Sequence, residues 1–449
     1  MAAYSYDTIV KYKIIAKCLE PLHIGSDSAD PEEILIDPVE GKPFIQASGI
    51  AGVFRNYCEN SYEQKISDEL FGKRRKNSGE EEAEENGSRL RLSDGIFEKM
   101  TEFRMELRPR VSIDPVTGTC DSSTVKGTDR RSGHKFNMGY VSAGAKFTFS
   151  VYLYDREKRE VLEDIFAAIN QGIILLGGQK SNGCGKIKIE KLLRKSFHMN
   201  ETKERRLWYE EEELPESEYE DITSQMKTES KTKNAYEITV TGRTEGALLV
   251  KSIAVSGCGK DAPDSENIRN GRGDYIVPGS SLKGAVRAQM ELISKRLNND
   301  SVIENAFGNK EKTGNLLFYD TIVGDREEND KMPLSHRIHI DKFTGGVMQG
   351  GLFSEKNVAG ELTIHIAIRD KNDPSQTCGL LLMALRDLAI GVMNIGGGYN
   401  VGKGIIDVDK ITVKGNKYSE AVIDFKAKKT EDKDKVIAGC LAAIQKGAE

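Results

Sequence analysis

A chain of 449 residues with 38% hydrophobic and 30% charged residues exceeds one ordinary domain of roughly 150 residues and carries enough apolar side chains for buried cores. Its longest apolar runs fall far short of the ~18–20 residues of a membrane span. Seven cysteines with no C-x-x-C pair argue against a disulfide framework or a zinc site and for a reducing, cytoplasmic setting. The net charge of −5 disfavours a nucleic-acid partner only until its distribution is considered.

In chain order, "MAAYSYDTIVKYKIIAKC" lacks a signal-peptide layout and reads as a strand, with "IVKYKIIAK" alternating at period two. A loop over 25–37 leads to "FIQASGIAGVFRNY", a short strand running into a helix. An acidic run, "EEEAEE" at 80–85, follows, then strands, a hairpin after "RVSIDPVTG", and a helix over about 158–172. A glycine-rich loop, "GGQKSNGCG" at 177–185, opens the strand "KIKIEKL". The stretch 199–233, including "EEEELPESEYED" at 210–221, reads as an acidic, structure-poor linker. The two acidic runs hold thirteen carboxylates and no Lys or Arg. Without them the remaining chain moves from −5 to +8, which permits a nucleic-acid partner.

The second half repeats this grammar. "AYEITVTGR" opens it, a long loop follows, and "YIVPGSSLKGAVRAQM" at 275–290 takes a strand through Pro278-Gly279 into a helix. Leu282, Val286, Met290, Ile293 and Leu297 sit at helical spacing, with Ser280 or Ser281 as N-cap. "RIHIDKFTG" at 337–345, a helix near 379–393, "GGGYNVGKG" at 396–404 and a final strand complete the copy. Residues 417–449 form a tail with an amphipathic helix through Val436, Ile437, Leu441 and Ile444.

The two halves align as an internal repeat. "SGIAGVFR" from Ser48 matches "SSLKGAVR" from Ser280, "LFG" matches "AFG", and "RLRLSD" matches "NLLFYD". "RVSIDPVTG" matches "RIHIDKFTG", and the glycine loops share four glycines in register. Strand, helix, strands, helix, strand is the split β-α-β layout. The fold class is therefore α+β: two tandem ferredoxin-like domains at 1–198 and 234–416, joined by 199–233, with inserted loops and hairpins. Helices on one face leave the other face of each sheet free.

"GGYNVGKG" approaches the phosphate-loop pattern. However, Gly404 replaces the hydroxyl residue, Cys184 stands where the first copy would need the lysine, and the order is helix, loop, strand. A nucleotide loop runs strand, loop, helix. The bare backbone of Gly177, Gly178, Gly183, Gly185, Gly396, Gly397, Gly402 and Gly404 suits either a tight turn or a passing phosphate chain, with Lys180, Asn182, Asn400 and Lys403 nearby. The helix starts invite the same reading. Their first-turn amides and dipole favour an oxyanion, supported by Ser280, Ser281, Lys283 and Arg287, and more weakly by Ser48 and Arg55.

"LHIGSDSADPEEILIDPVEGKPFIQASGIAG", "YIVPGSSLKGAVR" with "AFG", "GNLLFYD" and "RIHIDKFTG", and "LLGGQKSNGCGKIKI" together resemble the RAMP superfamily of CRISPR proteins. The likeness is greatest to the repeating backbone subunit of type III (Csm/Cmr-like) effector complexes, here as a fused double subunit. That resemblance implies RRM-like palms with thumb hairpins, a cytoplasmic ribonucleoprotein, and CRISPR RNA, complementary target RNA and other effector subunits as partners. It also implies target-RNA cleavage by a loop aspartate with a divalent metal, Mg2+. Carried over, the loop candidates are Asp30 then Asp27 in the first copy, and Asp264 then Asp261 in the second.

RNA supplies its own 2′-OH nucleophile. One carboxylate that takes the proton or orients a hydrated Mg2+ would suffice. Aspartate is also a common turn-maker, and Asp114 and Asp341 fit that role better, ahead of their hairpins. Two alternatives stand beside cleavage: a non-catalytic guide-RNA scaffold, and a precursor-RNA processing endoribonuclease. The six histidines do not match between the copies, which weighs against the latter.

Overall fold

The computed structural model describes residues 6–26, 30–73, 87–98, 105–114, 122–124, 131–133, 135–154, 158–210, 214–252 and 262–446. The first repeat contains β1 (Thr8–Cys18), β2 (Phe44–Ile45), α1 (Ala47–Ser61), α2 (Gln64–Phe71), β3 (Leu90–Leu92) and β4 (Gly95–Phe97). The hairpin strands β5 (Met105–Val111), β6 (Ser122–Thr124), β7 (Arg131–Gly133) and β8 (Lys135–Val141) come next. Then follow β9 (Lys146–Leu153), α3 (Arg159–Asn170), β10 (Ile187–His198), α4 (Thr202–Glu210) and β11 (Glu220–Asp221).

The second repeat contains β12 (Asn234–Glu245), β13 (Ser265–Glu266), β14 (Ile276–Val277), α5 (Gly279–Leu297), α6 (Ser301–Phe307), β15 (Leu316–Phe318), β16 (Thr321–Ile322) and α7 (Arg326–Lys331). The hairpin β17 (Ser335–Ile340) and β18 (Val347–Lys356) follows, then β19 (Glu361–Arg369), α8 (Pro374–Ala389) and β20 (Ile405–Gly415). The tail adds β21 (Ala421–Asp424), β22 (Lys429–Glu431) and α9 (Val436–Lys446).

Two compact units result, and they do not follow the repeat boundary strictly. The first holds residues 1–104, 140–180 and 184–233; the second holds 105–139, 181–183 and 234–449. The hairpin of the first repeat and the tip of its glycine loop are thus part of the second unit.

In the first unit the sheet order is β11-β10-β1-β9-β4-β2, with β3 also on β9. Period-two alternation sends Val10, Tyr12, Ile14, Ala16 and Cys18 of β1 into the core with Ile50 and Phe54 of α1 and Ile165 and Phe166 of α3. Each Val, Ile or Phe among them contributes about 1.5–3 kcal/mol on burial. The second unit repeats the arrangement as β15-β19-β12-β20-β21-β22. There Ile238 and Val240 pack on Val286, Met290 and Leu385. The tail strand β21 pairs with β20. In α9, Val436, Ile437, Cys440 and Ile444 are buried, whereas Leu441 is exposed.

Two expectations require correction. The stretch 199–233 is not a structure-poor linker: it forms α4, β11 and short helical turns on the first unit. Nor is the helix-free face of that sheet bare. Trp208 packs edge-on against Tyr152 and Phe197, at 5.5 and 5.3 Å between ring centroids, and Tyr219 is buried with Lys11 over its ring. Acidic composition suggested solvation. The acids instead find cations on β10: Glu216 with Lys191, Glu218 with Lys195 and Glu220 with Arg194.

Candidate nucleic-acid interface

In the first unit, the start of α1 is capped from a distance. Asp94 Oδ1 accepts the Ala47 amide at 2.6 Å. Ser48 is exposed beside it. Arg55 is spoken for: its guanidinium donates to Glu59 at 3.0 Å and to the Gly72 carbonyl at 2.9 Å, tying α1 to the end of α2. In the glycine loop, Gly178 donates its amide to the His23 carbonyl at 2.9 Å and Gly185 to the Pro21 carbonyl at 2.8 Å. The glycines therefore let the loop lie against the chain leaving β1. Lys180 is half-exposed at its turn.

Asp30 makes a local turn, with Oδ1 accepting the Glu32 amide at 2.9 Å. Asp27 lies outside the described residues.

The second unit shows the same helix-start device. Asp320 Oδ1 accepts the Gly279 amide at 2.9 Å, and its Oδ2 pairs with buried Arg108 at 2.6 Å. Arg108 also pairs with Glu106 at 3.0 Å. Ser280 and Ser281 are half-buried in the first turn. Lys283 donates to Ser181 Oγ at 2.8 Å. Burial, then the positive charges of Arg287 and Arg110, push its amine down to about 8. Arg287 is exposed; it pairs with Glu291 at 2.7 Å and lies 5.5 Å from the Phe307 ring centroid. Asn182 and Gly183 sit at the same place: a Cβ on Gly279 would stand 2.7 Å from the Asn182 carbonyl oxygen, and one on Gly183 would stand 2.2 Å from that of Phe318. The result is a helix start crowded with cations.

The second glycine loop is more open. Gly396, Gly397, Asn400 and Gly402 are exposed, while Gly404 is buried. Lys403 does not face solvent. It is 6% exposed and donates to Glu355 Oε2 at 2.5 Å and Asn357 Oδ1 at 2.6 Å. Burial alone would raise the Glu355 carboxyl, but the bond to Lys403 and the charges of Lys403 and Arg337 hold it below its usual range. Lys403 thereby ties the glycine loop to the base of the β17–β18 hairpin.

Asp264 is exposed and locked onto that hairpin. Its Oδ2 accepts the Ser354 amide at 2.7 Å and the Ser354 hydroxyl at 2.9 Å. These bonds hold its carboxyl below the usual range. Asp261 lies outside the described residues. Asp341 serves as a turn residue, accepting the Phe343 amide at 2.7 Å.

The structure thus brings Ser280, Ser281, Lys283 and Asn182 together, and keeps Arg55 and Lys403 in internal ion pairs. Sequence reasoning gave no role to Asp94 and Asp320, the remote caps, or to Arg108 and Arg110 beside the α5 start. The signal for the caps was present: the aspartates close the matched stretches "RLRLSD" and "NLLFYD". Among the described residues, no group of three or more His, Cys, Asp or Glu side chains is arranged to hold a metal ion.

A family model of the RAMP superfamily matches residues 15–188 and 256–407. The chain belongs to the RAMP superfamily. Its two matched stretches coincide with the two copies of the internal repeat, so this is a tandem RAMP protein of two ferredoxin-like domains. Among solved structures, it is similar to a chain of "Cryo-EM structure of the Type III-B Cmr-beta bound to cognate target RNA", at 16% identity and a TM-score of 0.31. That match covers 42% of the RAMP chain described here and 61% of the solved chain. A search of curated proteins found no match. No helix among the described residues is long and apolar enough to cross a membrane.

Proposed function

We propose that this RAMP chain is an RNA-binding backbone subunit of a type III CRISPR effector ribonucleoprotein, with CRISPR RNA, complementary target RNA and other effector subunits as partners. The observation that carries the reading is the α5 start. Ser280 and Ser281 lie in its first turn and Lys283 just after it, Arg287 and Arg110 lie near Lys283, and the Lys283 amine is pushed down to about 8 by burial and these like charges. A phosphate placed there would relieve the repulsion and accept hydroxyl and ammonium donors. The glycine loops supply backbone that a sugar-phosphate strand approaches closely.

Within that reading, Asp30 and Asp264 are the aspartates proposed for target-RNA cleavage. A divalent metal, Mg2+ by its taste for few carboxylates and retained waters, would supply a polarised water and charge neutralisation when bound. Asp264 suits holding such a hydrated ion better than taking a proton, because Ser354 keeps its carboxylate ionised. The same engagement favours a second reading, a guide scaffold that does not cut: both carboxylates already serve their own turns or hairpin. The test is alanine at Asp30 and Asp264, singly and together, in the assembled complex with Mg2+ and target RNA. Each substitution should remove one product and leave guide RNA bound. Unchanged products from the double variant would leave the scaffold.

A further inference from the structure

The helix-free face of the first unit carries a row of lysines on adjacent strands. Lys11 of β1 lies directly opposite Lys195 of β10, and Lys17 opposite both Lys188 of β10 and Lys146 of β9. Like charges directly opposite one another destabilise a sheet, so this row needs counter-charge. At one end Glu190 provides it, 2.8 Å from Lys146. At the other end it comes from the segment after α4, through Glu216 on Lys191 and Glu218 on Lys195 at 3.2 Å. Tyr152, directly opposite Lys11 on β9, lies at that same end, with Lys11 5.4 Å and Arg91 5.7 Å from its ring centroid and Trp208 of α4 edge-on at 5.5 Å. A row of cations along a sheet face is the kind of electrostatic track that the backbone of a single-stranded RNA follows.

The second unit provides the contrast. The same face of its central strand β12 carries Glu237, Thr239, Thr241, Arg243 and Glu245, with Glu237 opposite Lys414 and Arg243 opposite Asp407. It has no lysine row, and its tail strands extend the sheet edge. An acidic segment crosses only the sheet whose face is basic.

We propose that Glu216 and Glu218 act as an internal stand-in for nucleic acid, closing a polyanion-binding face of the first unit formed by Lys11, Lys13, Lys191 and Lys195. The segment directs RNA away from this face and toward the helix starts. Glu216 and Glu218 are half-exposed, and each exposed pair is individually weak, so the closure is electrostatic and salt-sensitive.

The experiment uses the full-length chain, fluorescent oligouridylate and a KCl series. In the E216Q/E218Q variant two lysines are freed. The log–log salt slope of RNA affinity should steepen by about 1.4, or about 0.7 per lysine on a single strand. Photo-crosslinks should also appear on the β10 segment Lys191–Lys195. E218Q alone should give about half the gain, and K191Q/K195Q added to the double variant should remove it. A folded E216Q/E218Q variant with wild-type slope and no new crosslink overturns the proposal. The wild-type slope, and crosslinks at the α5 start, report on the proposed guide-binding role separately.

Discussion

The Asp320 carboxylate caps the Gly279 amide at the start of α5, at 2.9 Å. Asp94 does the same for Ala47 at the start of α1, at 2.6 Å. A helix start satisfied by a carboxylate from elsewhere in the fold keeps only part of its own appetite for an anion. On the proposed reading, RNA phosphates at these positions would be met mainly by side chains beyond the cap, Ser280, Ser281 and Lys283 in the second unit, and less richly by Ser48 in the first.

The two caps differ in what their loss exposes. Asp94→Ala removes an exposed cap and should cost about 1 kcal/mol. Asp320→Ala also strips buried Arg108 of one of its two carboxylate partners and should cost about 3 kcal/mol. Urea denaturation of both variants checks the order; equal costs would mean that the Arg108 pairing contributes nothing.

RNA affinity should fall between pH 7 and 9, because the Lys283 amine, pushed down to about 8, loses its charge across that range. Lys283→Arg keeps its charge and should flatten the profile. The folded-state value lies below that of the unfolded chain. The unfolded state therefore binds more protons between about pH 8 and 10, and the protein's stability contribution from this group should rise with pH there. Binding by fluorescence anisotropy and thermal melts over the same pH series read the two effects.

Lys403→Met should act as a folding lesion. It leaves buried Glu355 with Arg337, at 3.3 Å, and the more distant charge of Lys251 as its remaining partners, a loss of about 3–5 kcal/mol. Lys403→Met combined with Glu355→Leu should recover most of it. Urea denaturation of the single and double variants measures this. A stable Lys403→Met protein with weakened RNA binding would instead make Lys403 a phosphate contact.

Gly185→Ala and Gly404→Ala should each destabilise their own unit by at least about 2 kcal/mol. Both glycines hold positive φ, 86° and 76°, and an added Cβ would stand 1.9 Å from the Leu176 carbonyl oxygen or 2.0 Å from that of Ile395. Gly402→Ala meets nothing nearby despite its φ of 79° and should cost less, about 1 kcal/mol. Thermal melts of the three variants rank them.

The repeat was legible because its signals are local. The glycines, the helix spacing and the alternating strands each reflect a backbone demand that one short stretch satisfies. The 199–233 segment was not, because its order depends on lysines and an arginine in β10, and its composition alone reads as solvated. Arg55 and Lys403 looked like phosphate contacts for the same reason: a cation's partner, here Glu59 or Glu355, is chosen by tertiary packing. The assignment of residues 105–139 to the second unit is likewise a long-range outcome with no local signature. Asp94 and Asp320 fall between these cases, visible as matched positions but given a role only by the folded distance to a helix start.

The most direct test of the RNA-binding account is photo-crosslinking of the natural assembly, purified with its RNA, followed by peptide mapping. The expected result is guide RNA attached to the segment Gly279–Arg287, and more weakly to Ala47–Arg55. An assembly free of RNA, or RNA attached to neither segment, would contradict it.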